Sequence, residues 1–66
     1  MYLLKIKGSN RIPDYIQIRD EDFTLVAYFR FDRSEYGLKK NGFIKNTDEI
    51  IEIIKTLPYG KIKKIM

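Results

Sequence analysis

From Phe23 to Phe31 the chain alternates without a break, with Phe23, Leu25, Ala27, Phe29 and Phe31 on one parity and Thr24, Val26, Tyr28 and Arg30 on the other. Side chains of a strand point to opposite faces with a period of two, so the pattern predicts a strand over residues 23–31 with its apolar parity buried. Residues 14–19 alternate as well, with Ile16 and Ile18 inward and Tyr15, Gln17 and Arg19 outward. Between these two runs lies Asp20-Glu21-Asp22, a short acidic connection that reads as a hairpin turn. Residues 2–7 form a third alternating run, in which Tyr2, Leu4 and Ile6 share one parity and Leu3, Lys5 and Lys7 the other. The larger apolar set is expected to face inward, which sends Lys5 and Lys7 outward. Gly8-Ser9-Asn10 supplies turn chemistry after this run, and Pro13 restricts the next strand to start beyond it or to lie on an edge.

Beyond Arg33 the period changes. Ser34 reads as an N-cap, with Glu35 at the positive end of a short helix and Lys39 and Lys40 at its negative end. Asn41-Gly42-Phe43 reads as its stop: Gly42 takes the left-handed position and Phe43 folds back on Leu38. Gly37 weakens this helix. Thr47 is expected to cap a second helix, whose Ile50, Ile51, Ile53, Ile54 and Leu57 form a broad apolar face before Pro58 ends it. Residues 61–65 are read as a last strand, although Ile62 and Ile65 stand three apart, a spacing that suits a strand poorly.

The expected fold class is therefore α+β, in strand-strand-strand-helix-helix-strand order. Three hairpin-linked strands make an antiparallel meander backed on one face by two helices, and the last short strand pairs at a sheet edge. The 66 residues are read as one small domain, near the lower limit for independent folding. At that size a core usually has a supplement. The chain has no cysteine and no histidine, which rules out a disulfide and any nitrogen- or sulfur-ligated metal centre, and leaves self-association.

The same absence bears on chemistry. Ser9 and Ser34 have no histidine to activate them, and they read as a turn residue and a cap. The spacing of Asp20, Glu21 and Asp22 matches no calcium loop, and the isolated glycines match no phosphate loop. No catalytic residue, metal or cofactor is expected, and the chain is read as a non-enzyme. The start Met-Tyr-Leu-Leu-Lys-Ile-Lys has too short an apolar stretch for a signal-peptide core, and no run approaches the ~20 apolar residues of a membrane span. A soluble, cytoplasmic protein with no membrane partner is the expectation.

What remains is the sheet face that the helices leave uncovered. By strand parity it carries Lys5, Lys7, Tyr15, Gln17, Arg19, Val26, Tyr28 and Arg30. Aromatic rings among cations on an open sheet are a platform for single-stranded nucleic acid, with Tyr15 and Tyr28 stacking on bases and Lys5, Lys7, Arg19 and Arg30 meeting phosphates. The net charge of +4 permits such a partner without demanding it. Tyrosine and arginine are also ordinary occupants of a solvent-facing strand surface. The competing class is protein association, in which a homodimer or an accessory partner covers the strip formed by Leu3, Tyr15, Val26 and Tyr28. The lysines at 39, 40, 45, 61, 63 and 64 read as a solvated face.

Overall fold

The computed structural model describes residues 1–65. Its elements are β1 (Tyr2–Ile6), β2 (Tyr15–Arg19), β3 (Leu25–Arg30), a 3₁₀ turn (Phe31–Arg33), α1 (Ser34–Lys40), α2 (Thr47–Thr56) and β4 (Ile62–Lys64). The strands form one antiparallel sheet in the order β3-β2-β1-β4. The meander, the two helices on one face and the return of the last strand to the free edge of β1 all match the order read from the sequence.

The core lies between the sheet and the helices. Leu3, Ile16, Ile18, Ala27 and Phe29 meet Leu38 of α1 and Ile50, Ile54 and Leu57 in and just after α2. Gly37 is the contact point of α1 with the sheet: a Cβ built there would stand 2.3 Å from Cγ of Phe29. The glycine that costs the helix propensity is thus what lets it sit down on β3. The end of α1 follows the expected stop. Phe43 N–H donates to Leu38 C=O at 2.9 Å, Gly42 N–H donates to Lys39 C=O at 3.2 Å, and Gly42 has φ +89°.

The helix starts differ from expectation. Neither Ser34 nor Thr47 caps: each lies inside its helix, buried, and its hydroxyl donates backward, Ser34 to Phe31 C=O and Thr47 to Phe43 and Ile44 C=O. Each hydroxyl therefore fastens the helix to the turn before it.

Two corrections concern the strands. β1 presents the parity opposite to the one expected. Leu3 pairs with Ile18 and Lys5 with Ile16, so Leu3 and Lys5 face the helices, while Tyr2, Leu4 and Ile6 face away. Leu3 is fully buried and Lys5 only 5% exposed. Register across the pair decides this, because a shift of one residue exchanges the two faces of a strand. The register is held by the loop between the strands, where Gly8 N–H donates to Asp14 Oδ1 at 2.7 Å and Ile12 N–H to Ser9 C=O at 2.7 Å.

β3 is shorter than the alternation suggested. Phe23 has φ +63° and belongs to the turn, where the Asp20 carboxylate accepts from the N–H groups of Asp22 and Thr24, each at 2.9 Å. The pairing then steps from Ile18–Ala27 to Arg19–Leu25, which leaves Val26 as a bulge. Leu25 accordingly opposes Arg19 on the uncovered side and is exposed rather than buried. The odd spacing of Ile62 and Ile65 has a simple cause: Ile62 pairs with Leu4 on the uncovered face, and Ile65 packs on the core.

Candidate binding face of the sheet

Three cross-strand rows make up the uncovered face. The first runs Lys64, Tyr2, Arg19 and Leu25; the second Ile62, Leu4, Gln17 and Tyr28; the third Ile6, Tyr15 and Arg30. Apolar and aromatic side chains fill the middle, and cations stand at the two ends. Ile62 and Tyr28 are each 54% exposed, and Ile6, Leu25 and Val26 are exposed beside them. The rings are ordered. Tyr15 and Tyr28 stack with centroids 4.6 Å apart at 26°, and Tyr2 tilts against Phe23 at 5.8 Å.

Four of the six residues expected at the site stand together on this face: Tyr15, Arg19, Tyr28 and Arg30. The arginines are already engaged. Arg30 forms a two-pronged pair with Asp32, at 3.1 and 2.7 Å. Arg19 donates to Phe23 C=O at 3.0 Å and to Gln17 Oε1 at 3.1 Å, lies over the Phe23 ring, and has a buried Nε with no hydrogen-bond partner among the described residues. Lys5 and Lys7 are not on the face. Lys5 points to the helix side, with its ammonium 4.4 Å from the Phe31 ring and 4.7 Å from the Tyr59 ring. Lys7 lies beyond the end of β1, 5.9 Å from Tyr59. Residues that parity placed in the core, Tyr2, Leu4 and Ile6, take their places, joined by Ile62 from β4. The stripe is visible in the sequence as alternating apolar residues, a pattern that suits a core face and an exposed binding face equally.

Compared with known protein families, curated proteins and solved structures, the chain matches none.

At the far corner from Arg19 a polar clip ties the first loop to the last turn. The Tyr59 hydroxyl donates to Asp14 Oδ2 at 2.6 Å while Gly8 N–H holds the other oxygen, and Gly60 N–H donates to Lys5 C=O at 2.9 Å. The Tyr59 hydrogen bond, then that of Gly8, holds the Asp14 carboxyl below its usual range, helped by the charges of Lys7 and Lys5 against a desolvation that works the other way. The same bond pushes the Tyr59 phenol above its usual value. A carboxyl whose folded pKa is depressed stabilises the fold above its unfolded pKa of about 4, and that contribution disappears as pH falls through the folded value. The Tyr59 contribution has the opposite sense: it is present below pH ~10 and disappears as pH rises through the raised phenol value. Thermal melts of the wild type and Tyr59→Phe between neutral pH and pH ~3 are therefore expected to show a gap that narrows with acid. A gap that stays constant to the lowest pH would mean that the clip contributes nothing through Asp14.

No group of three or more Asp or Glu side chains among the described residues is placed to hold a metal ion. None of their helices is long and apolar enough to cross a membrane.

Proposed function

We propose that this chain is a non-catalytic, cytoplasmic binding module that works through the uncovered face of its sheet, and that the face closes on a protein surface, in the simplest case a second copy of the chain. The observation that carries the reading is the apolar and aromatic stripe of Tyr2, Leu4, Ile6, Tyr15, Tyr28 and Ile62 on a face that no element of the described residues covers. Contiguous exposed apolar patches mark interaction sites, and protein interfaces are enriched in tyrosine and arginine and depleted in lysine at their centre. Here the lysines stand outside the stripe or at its edge. A second copy also suits a small core, which gains a further apolar layer when two such faces meet. The absence of cysteine and histidine supports a non-catalytic role and suits a reducing compartment.

Single-stranded nucleic acid is the second reading, favoured by one observation: the stacked Tyr15 and Tyr28 rings beside Arg30. Its electrostatic support is smaller than the sequence suggested, because Lys5 is buried on the opposite face and Arg30 is neutralised by Asp32.

Sedimentation equilibrium across a wide concentration range separates the readings when the double variant Tyr28→Asp/Ile62→Asp is run beside the wild type. Both side chains are exposed in the single chain, so the variant is expected to fold while its dissociation constant rises by about tenfold or more. The wild-type melting temperature is expected to rise with concentration, and that of the variant to stay flat. A wild type that stays monomeric throughout excludes the homodimer. Salt-sensitive binding of a labelled single-stranded oligonucleotide that is lost in Tyr15→Ala/Tyr28→Ala would then carry the second reading.

A further inference from the structure

The two edges of the sheet are built differently. β4 is three residues long and two of them are lysines, a short, charged edge of the kind that discourages further pairing. β3 is six residues long and contains no lysine or proline; its bulge is confined to the Val26 end, and among the described residues Ala27 to Arg30 pair regularly with β2 and with nothing on their other side. Alternate backbone N–H and C=O groups along its outer side have no strand to meet.

Beside this edge runs a shallow groove of about 260 Å³, with Phe29 and Arg30 of the strand on one side and Arg33, Tyr36, Gly37 and Lys40 in and around α1 on the other. Arg33, Tyr36, Gly37 and Lys40 follow the i, i+3, i+4, i+7 spacing of one helical stripe, and Gly37 draws that stripe down against Phe29. The groove is sized for side chains rather than for an enclosed small molecule. Among the described residues no carboxylate lines it. Among the described residues neither Arg33 nor Lys40 enters an ion pair, and the Lys40 ammonium lies 5.8 Å from the Tyr36 ring.

We propose that the outer edge of β3 and the adjoining stripe of α1 form an acceptor site for an extended acidic peptide of a partner protein, which adds to the sheet as a fifth strand. An added strand gains its affinity from main-chain hydrogen bonds and its selectivity from alternate side chains. Every second residue of the incoming strand stands on the helix side of the sheet, beside Arg33 and Lys40, and acidic side chains there meet two unpaired cations. Charge also argues against a second copy as the occupant. Two β3 edges paired about a two-fold axis would bring the α1 stripes toward each other, with Arg33 and Lys40 on both sides. The site does not rest on the association proposed for the uncovered face.

The test uses an acetylated, amidated peptide that alternates glutamate and valine over the length of β3, with a lysine–valine peptide of the same length as control. Binding is read by NMR titration and by hydrogen exchange of the β3 amides. The acidic peptide is expected to bind, more weakly as salt rises, and to protect β3 amides that exchange freely in the unbound protein. The lysine–valine peptide is expected not to bind. Arg33→Glu/Lys40→Glu, both exposed, should fold normally by circular dichroism and weaken binding by about tenfold or more. Failure of the acidic peptide to bind at low salt, binding without protection of β3, or binding undiminished in the charge-reversed variant would each overturn the assignment. Protection of the β3 amides that grows with protein concentration alone would overturn it in favour of edge-to-edge pairing of two copies.

Discussion

Gly37→Ala is expected to lower stability by about 2 kcal/mol, although alanine is the better helix former. The added methyl would stand 2.3, 2.6 and 2.8 Å from Cγ, Cβ and Cδ1 of Phe29, closer than side-chain carbons approach. Forcing such a contact moves α1 off β3 or turns Phe29 out of its rotamer, and overpacking of this kind costs about 1–3 kcal/mol or more. The gain in helix propensity returns at most about 1 kcal/mol. In a domain of this length the net loss corresponds to a melting temperature lower by about 10 °C. A double-mutant cycle with Phe29→Leu locates the cause. Gly37→Ala is expected to cost about 1 kcal/mol less when the ring is absent, because the two residues are in direct contact. Equal melting temperatures for Gly37→Ala and the wild type would show that the helix does not need to approach so closely.

Lys5 offers the second large effect, and two substitutions should part company there. Lys5→Met keeps the unbranched stem that fills the space beside Phe31 and Tyr59, and it is expected to leave stability within about 1 kcal/mol of the wild type. Its loss is the attraction of the ammonium for the Phe31 and Tyr59 rings, about 0.5–2 kcal/mol for each such contact, offset by the lower cost of burying a thioether. Lys5→Glu is expected to cost about 3 kcal/mol or more, since it places an unpaired carboxylate in a buried position against the electron-rich faces of two rings. Denaturant titration of the two variants reads this difference. Neither should change oligonucleotide affinity in proportion to charge, because position 5 does not reach the uncovered face. A selective loss of nucleic-acid binding in Lys5→Met, with stability intact, would contradict the placement of this side chain.

The parts of the fold that were legible in the sequence are those where one local pattern had one solution. Ile16 and Ile18 fix the inner face of β2, Gly42 and Phe43 fix the end of α1, and the isoleucine stripe fixes the inner side of α2. β1 lacked that property. It is apolar on both parities, with Leu3 against Tyr2, Leu4 and Ile6, and the choice between them depends on a register set by the loop held at Asp14. Counting favoured the wrong face, and Lys5 and Lys7 went with it. The bulge at Val26 is equally invisible in an uninterrupted alternation, which assigns Leu25 and Phe23 to the core, whereas the bulge turns Leu25 to the uncovered side and the turn built around Asp20 takes up Phe23. Tyr15, Arg19, Tyr28 and Arg30 were found because β2 and the second half of β3 keep a simple period. The partners that occupy the two arginines, Gln17, the Phe23 carbonyl and Asp32, lie within a few residues of them, but it is the pairing of β2 with β3 and the turn at Phe23 that bring them into contact. Gly37 is the clearest case of a residue whose local reading and tertiary role have opposite signs.

β4 contributes three paired residues, all exposed, at the end of the sheet farthest from α1's contact with β3. Segments with so little burial open long before the whole molecule unfolds. When β4 lifts away, the edge of β1 is bared, and β1 carries no proline and only one lysine to deter a new neighbour. A β4 from another molecule is the identical segment and can repeat the same pairing with Tyr2, Leu3 and Leu4. Concentrated or warmed solutions should therefore accumulate strand-exchanged species that dissolve slowly on dilution. An added crosslink between β4 and β1 would suppress them while leaving the rest of the fold untouched.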